Sequence, residues 1–145
     1  MIRPATASDF PALAELLHAL ARVFIVPGMP AEVATTFLRA NDAAAMLAYR
    51  ERGHRISVAE VGGALAGFIA IRPPSHLFHL FVAQPFQRRG VARALWDHAR
   101  GDAVAFTVNS SPYAIPAYEA MGFRCDGPLA CHNGVTFQPM RYARS

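Results

Sequence analysis

The stretch from His76 to Arg100 constrains the fold more than any other part of the chain. His76-Leu77-Phe78-His79-Leu80-Phe81-Val82 is a strongly apolar run of strand length, and such runs suit a central strand covered on both faces. Ala83 to Arg89 then reads as a loop, and Gly90 to about Arg100 as a helix. A strand that hands over to a helix in this way belongs in an α/β architecture, and the other segments can be placed around it.

Upstream, Ile2-Arg3-Pro4 reads as a short first strand. Thr6 and Asp9 have capping-box spacing, with Asp9 reaching back to the cap; Ser8 as the cap would instead put Pro11 in the first helical turn. Leu13, Leu16, Leu17 and Leu20 recur at helical spacing, and Phe24 to Pro30 breaks that helix. Ala31 to Glu51 predicts one or two further helices with a break at Asn41-Asp42. Arg55 to Glu60 and Leu65 to Ile71 are strands joined through Gly62-Gly63, a hairpin signal, and Pro73-Pro74 forces a loop. Downstream, Val104 to Val108 is a strand, and Pro112 to Met121 is a helix stopped by Gly122. Strands near Cys125–His132 and Val135–Arg141 are joined by Asn133-Gly134, a strong type I′ turn signal. The order β-α-α-β-β-β-α-β-α-β-β describes one α/β domain on a mixed sheet, residues 1–145.

At 145 residues the chain can bury roughly 68–70% of its unfolded surface, enough to fold without metals or disulfides. Net charge is +4 and every one of the 14 basic residues is Arg. Arg forks match phosphates and carboxylates. The basic residues are scattered, whereas a nucleic-acid footprint needs a stripe or cluster; an anionic small molecule fits the charge better. An acidic, amphipathic N-terminal stretch and the lack of a bilayer-length apolar run favour a cytoplasmic protein without membrane contact. Cys125 and Cys131, if on one strand, are too far apart to bridge and read as free, buried thiols. The histidines show no zinc-type spacing and no metal is expected.

Gln87-Arg88-Arg89-Gly90-Val91-Ala92 lies between strand and helix. A helix start offers unpaired N–H groups and the positive end of the helix dipole, which together make an anion site. Gly90 and Ala92 let an oxygen approach the backbone, and Arg88 and Arg89 add charge. Neither familiar nucleotide loop is present.

In this context Leu80-Phe81-Val82 followed by Phe86-Gln87-Arg88-Arg89-Gly90-Val91-Ala92 resembles the acyl-CoA pyrophosphate signature of the GNAT superfamily, [QR]-x-x-G-x-[GA]. Asn109 after a strand, then Tyr118-Glu119-Ala120-Met121-Gly122-Phe123, resembles its second signature, and Ile2 to Asp9 resembles its usual opening. The likeness covers nearly the whole chain; Gln84 stands where many members carry Pro.

The resemblance implies a single-domain GNAT-like fold: a mixed, mostly antiparallel sheet of six to seven strands flanked by about four helices, with a splayed central strand pair. It implies an N-acetyltransferase that moves acetyl from acetyl-CoA, as co-substrate, to an amine by direct attack in a ternary complex. Leu80, Phe81 and Val82 would line the pantetheine slot, the Val82 N–H facing the thioester carbonyl. The amides of Arg88, Arg89, Gly90, Val91 and Ala92, after Gln87, would hold the pyrophosphate, and Asn109 the pantetheine arm or the splay. Tyr118 would also sit near the sulfur and donate to the departing thiolate. Some families carry Glu or His six positions before the residue matching Val82, which makes His76 the candidate general base. His79, of opposite parity, should face away. Acceptor contacts should come from Arg22 to Glu51 and the 128–136 hairpin. Alternatives are a different acyl-CoA on the same fold, or a non-catalytic acyl-CoA sensor or interaction module. Family members often form homodimers.

Overall fold

Turn chemistry and apolar patterning set the order of elements in the computed structural model, which describes residues 1–144. The chain enters through β1 (Ile2–Pro4) and continues into α1 (Phe10–Phe24), α2 (Ala31–Arg39) and α3 (Ala43–Glu51). The strands β2 (Arg55–Val61), β3 (Ala64–Arg72) and β4 (His76–Val82) follow, then α4 (Val91–Arg100), β5 (Ala105–Ser110) and α5 (Ile115–Ala120). The chain closes with β6 (Arg124–Cys125), β7 (Ala130–His132) and β8 (Val135–Ala143). The sheet order is β1-β2-β3-β4-β5-β8-β6, with β7 paired to β8. Every pairing is antiparallel except β4 with β5.

The first hairpin turns on Gly62 and Gly63 at φ 58° and 80°, the second on Asn133 and Gly134 at φ 51° and 80°. Two successive left-handed residues are what a type I′ turn demands. At the N-terminus Asp9 does reach back: its carboxylate accepts from the Thr6 N–H at 2.7 Å. The same carboxylate pairs with Arg3 at 2.8 Å, and Arg3 also meets Glu60 at 2.6 Å. The Arg3 guanidinium is the main reason the Asp9 carboxyl sits well below the usual carboxylate range.

There is one more helix and at least one more strand than the amino-acid pattern predicts. The 31–51 segment divides because Asp42 caps a new helix, accepting from the Ala45 N–H at 2.8 Å. The segment around Cys125–His132 is two short strands rather than one, since Asp126 to Leu129 leaves the ladder. Both cysteines are free, as expected, but they are exposed and not buried. Short strands at a sheet margin have too little cover to bury them.

Side-chain alternation along the strands sorts the core into two clusters. One face packs Ile69, Ile71, Leu77, Phe106 and Val108 against Leu95 and Trp96 of α4 and against Tyr118 and Phe123. The other packs Ile56, Val58, Phe68 and Ala70 against Leu13 and Leu17 of α1 and Met46 of α3. Trp96 is fully buried, with Phe106, Phe123 and Tyr142 edge-on or tilted around it at 4.9–5.2 Å.

Gly67 faces Val82 across the β3–β4 ladder. A Cβ there would come within 2.5 Å of the Phe81 carbonyl oxygen and 3.2 Å of the Val82 Cα. Both are backbone atoms and cannot swing aside. Gly67→Ala is therefore expected to force β4 off β3 and cost about 1–3 kcal/mol. A denaturant titration checks this; unchanged stability would show that the strands separate freely there.

Candidate active site

The parallel pair β4 and β5 stays together for two residues only, His76 with Thr107 and Leu77 with Val108. Beyond that, Phe78 to Val82 follow β3, while Asn109 and Ser110 follow β8. The first shared rung is tied by His76 Nδ1 to Thr107 Oγ1 at 2.7 Å, and the Thr107 N–H donates to Ser75 O at 3.1 Å. Asn109 is the first β5 residue past the shared ladder.

The gap opens into a cavity of about 420 Å³. Leu80, Phe81, Val82, Gln87, Asn109 and Tyr118 line one part of it, and His76 also reaches its wall. Backbone parity decides what this strand offers. The Ala83 N–H donates to Ala66 O at 2.8 Å. In an antiparallel ladder the neighbouring residue points its N–H and C=O the other way, so those of Val82 turn into the gap. The Val82 carbonyl is already taken, accepting from the Gln87 Nε2 at 2.9 Å. Gln87, read from sequence as a contact for a ligand, thus also clips the loop to the strand that precedes it. The Val82 N–H remains available.

A second cavity, about 380 Å³, adjoins the first through Val82 and Gln87 and is lined by Arg88, Gly90, Val91 and Ala92. Gly90 caps α4 with φ 80°, and Arg88 holds a left-handed φ of 63°. Left-handed residues in such a turn curl successive amides into an anion-holding nest. The first helix amide bonded back is that of Ala94, to Gly90 O at 3.0 Å, which leaves the N–H groups of Val91, Ala92 and Arg93 at the helix mouth. A Cβ built on Gly90 meets nothing within 4 Å, so the mouth is open. The Arg89 side chain does not join this group. Its guanidinium lies 5.9 Å from the Phe86 ring centroid, outside both cavities.

Tyr118 sits on α5, started by Pro116, with its ring edge-on to Phe123 at 5.5 Å. It is 7% exposed and lines the cavity. Burial alone raises its phenol above the ordinary tyrosine range, so it remains a protonated donor at working pH.

The histidines depart from simple alternation. The β3–β4 register shifts between Ala70 and Ile71, so Ala70 faces His79 while Ile71 faces Leu77. Phe78 is the extra residue of a bulge. The bulge resets the parity, and His79 lies among Phe68, Phe78 and Phe81 on the face that His76 also takes beside Thr107. His79 therefore does not face away from His76; both line the cavity. The His79 Nε2 is buried without a hydrogen-bond partner among the described residues. Burial, then the positive charge of Arg72, push His76 down to about 4. Burial takes His79 to about 3.

Sequence reasoning did not find Arg72, which lies opposite His76 in the ladder and lines the cavity. Nor did it find the stack of Phe24 on Tyr113, centroids 4.3 Å apart, which joins the end of α1 to the turn after β5. Neither carries a motif; only the folded register brings them in. The 22–51 segment reaches the cavity through Phe24, Phe37 and Tyr49, and the 128–136 hairpin through Val135 and Thr136. Gly134 sits so close to α2 that a Cβ would lie 2.8 Å from a Val33 methyl.

Among the described residues no group of three or more His, Cys, Asp or Glu could hold a metal. No helix there is long and apolar enough to cross a membrane.

The acetyltransferase (GNAT) domain family matches residues 25–144. No curated protein matches the chain. Among solved structures, it is similar to a GCN5-related N-acetyltransferase from Rhodopseudomonas palustris, 23% identical, covering 99% of this chain and 94% of that one with a TM-score of 0.79. It is also similar to the PaiA N-acetyltransferase of Thermoplasma acidophilum, solved in complex with coenzyme A: 14% identical, 99% and 98% covered, TM-score 0.81. Apo YjaB from Escherichia coli is 19% identical, with 100% and 98% covered and a TM-score of 0.76.

The lowered histidines make stability depend on pH. Between the ordinary value of about 6.5 and the folded values of about 4 and 3, the unfolded chain binds protons that the native one refuses. Stability is full above that window and falls as pH drops through it. A thermal scan series should show Tm falling below pH 6.5, reflecting a loss of roughly 1–3 kcal/mol. His76→Gln should flatten the slope, and an unchanged slope would show that His76 titrates normally.

Proposed function

The chain belongs to the GNAT acetyltransferase family, and from that premise we propose that this acyltransferase moves an acetyl group from acetyl-CoA to an amine by direct attack in a ternary complex. The observation that carries the reading is the continuity of the two cavities. One runs over an open helix start, the other past an unclaimed backbone N–H and a buried phenol, and they meet at Val82 and Gln87. The neighbour that holds coenzyme A lends support.

In this reading Arg88, Gly90, Val91 and Ala92 receive the diphosphate on backbone amides. Arg89 contributes its amide and spends its side chain on Phe86. Leu80, Phe81 and Asn109 flank the pantetheine arm. The acetyl thioester supplies the carbonyl carbon that the amine nitrogen attacks; a C–N bond forms and the C–S bond breaks. The Val82 N–H stabilises the oxygen as it gains charge. His76, neutral at working pH, accepts the amine's proton directly or through water. Tyr118 donates to the leaving sulfur. A thiolate has a pKa of about 8.5, below that of the buried phenol, so hydrogen bonding to the sulfur outweighs full proton transfer. The chain works as one domain over residues 1–145, in the cytoplasm, with no nucleic-acid or metal partner, and can act alone or as a homodimer.

Tyr118→Phe should lower kcat about 10²-fold or more while the KM for acetyl-CoA changes less than about 3-fold. Free-thiol release measures both, and a normal kcat would remove Tyr118 from the chemistry. His76→Ala should lower kcat/KM throughout pH 6–9; full retention across that range would sink the general-base role. Gly90→Glu should weaken CoA binding at least 10-fold by calorimetry, since a carboxylate would stand where the anion is held; unchanged affinity would place the phosphates elsewhere.

A further inference from the structure

The acceptor half of the larger cavity has a composition that selects its ligand. Its wall is built from Phe24, Phe37, Tyr49, Phe78, Tyr113 and Phe137. None of the chain's 10 acidic residues lines either cavity. Asp42, next to Asn41 of the cavity lining, is committed to the Ala45 N–H. A polyamine, an aminoglycoside or a lysine-rich peptide would carry several positive charges into a pocket with no anion to meet them, at a high desolvation cost.

The charged side chain that does line this cavity is a cation. The exposed Arg72 side chain makes no salt bridge and no hydrogen bond among the described residues. It pairs directly with His76 in the β3–β4 ladder. Residues opposed in an antiparallel ladder put their side chains on the same face a few Å apart. A guanidinium is the natural fork for a carboxylate. In an α-amino acid the amine and the carboxylate share one carbon, so a carboxylate seated on Arg72 brings the amine beside His76, and the remaining side chain meets the aromatic wall.

Resting on the acetyl-transfer reading, we propose that the acceptor is a small α-amino acid with an apolar or aromatic side chain, and that Arg72 binds its carboxylate. Two further features agree. Asn41 gives its amide N–H to Phe37 O at 2.9 Å, which leaves its side-chain carbonyl as an acceptor on the cavity wall for the amine. Arg72 is also one of the charges that suppress His76 basicity, and an anion seated on Arg72 offsets that field, so the substrate that fits also improves the base.

The test compares acetyl-CoA-dependent thiol release on L-phenylalanine, L-leucine, 2-phenylethylamine, spermidine and a lysine-containing peptide, alongside calorimetric titration with CoA. L-phenylalanine or L-leucine should exceed 2-phenylethylamine by about 10-fold or more in kcat/KM, the worth of a charge-assisted pair. Arg72→Met should bring that ratio to within about 3-fold, and Arg72→Lys should keep part of it. A Tm near that of the unaltered protein certifies the variants, and Arg72→Gln replaces the Met variant if it unfolds. Best turnover on spermidine or the peptide, or a ratio untouched by Arg72→Met, would overturn the assignment. Tight CoA binding with no turnover of either amino acid would overturn the acceptor class alone; absence of CoA binding would overturn the acetyl-transfer reading beneath it.

Discussion

Everything that gives this protein a usable interior follows from one short parallel contact. Strands β4 and β5 share two rungs, fastened by a 2.7 Å bond between His76 and Thr107, and then part. A sheet ordinarily satisfies every inner backbone group with a neighbouring strand. Here the Val82 N–H turns into the gap, because β5 no longer runs beside β4 past the Leu77–Val108 rung. The two core clusters cover opposite faces of the sheet: Phe106 and Val108 of β5 pack with Leu77 of β4 onto Trp96, while Phe68 and Ala70 of β3 pack with residues of α1 and α3.

Much of this was legible in the amino-acid order. The bounds of β4, both glycine-centred hairpins and the break at Asp42 follow from patterns that act over a few residues, and local rules are sufficient there. The helix mouth at Gly90 was legible for the same reason. What local rules missed was register. A single extra residue at Phe78 turned His79 onto the face of His76, and no property of Phe78 announces a bulge. Arg72 is four positions from His76 in sequence and looks like an ordinary strand-end charge; its importance appears only when the ladder sets the two side by side. Cys125 and Cys131 were misjudged because burial depends on how much of the sheet lies beyond a strand, which is a property of the assembled edge.

The interior is unusual in its charge balance. It gathers His54, His76 and His79 around aromatic rings, with Arg72 and Arg52 as the nearby charges. Buried polar atoms normally have partners, yet the His54 Nδ1 and the His79 Nε2 have none among the described residues. Groups left in this state mark places where a ligand or an ordered water completes the network.

The stack of Phe24 on Tyr113 adds a kinetic property to this interior. It joins the end of α1 to the turn after β5, and Tyr113 is 57% exposed. An aromatic pair of this kind contributes about 0.5–1.5 kcal/mol beyond its buried area, only one to a few times thermal energy. Side-chain rotation of so exposed a ring takes about picoseconds to nanoseconds. The pair can therefore part and re-form far faster than a catalytic turnover, so it fastens the end of α1 to the turn after β5 without adding a slow step.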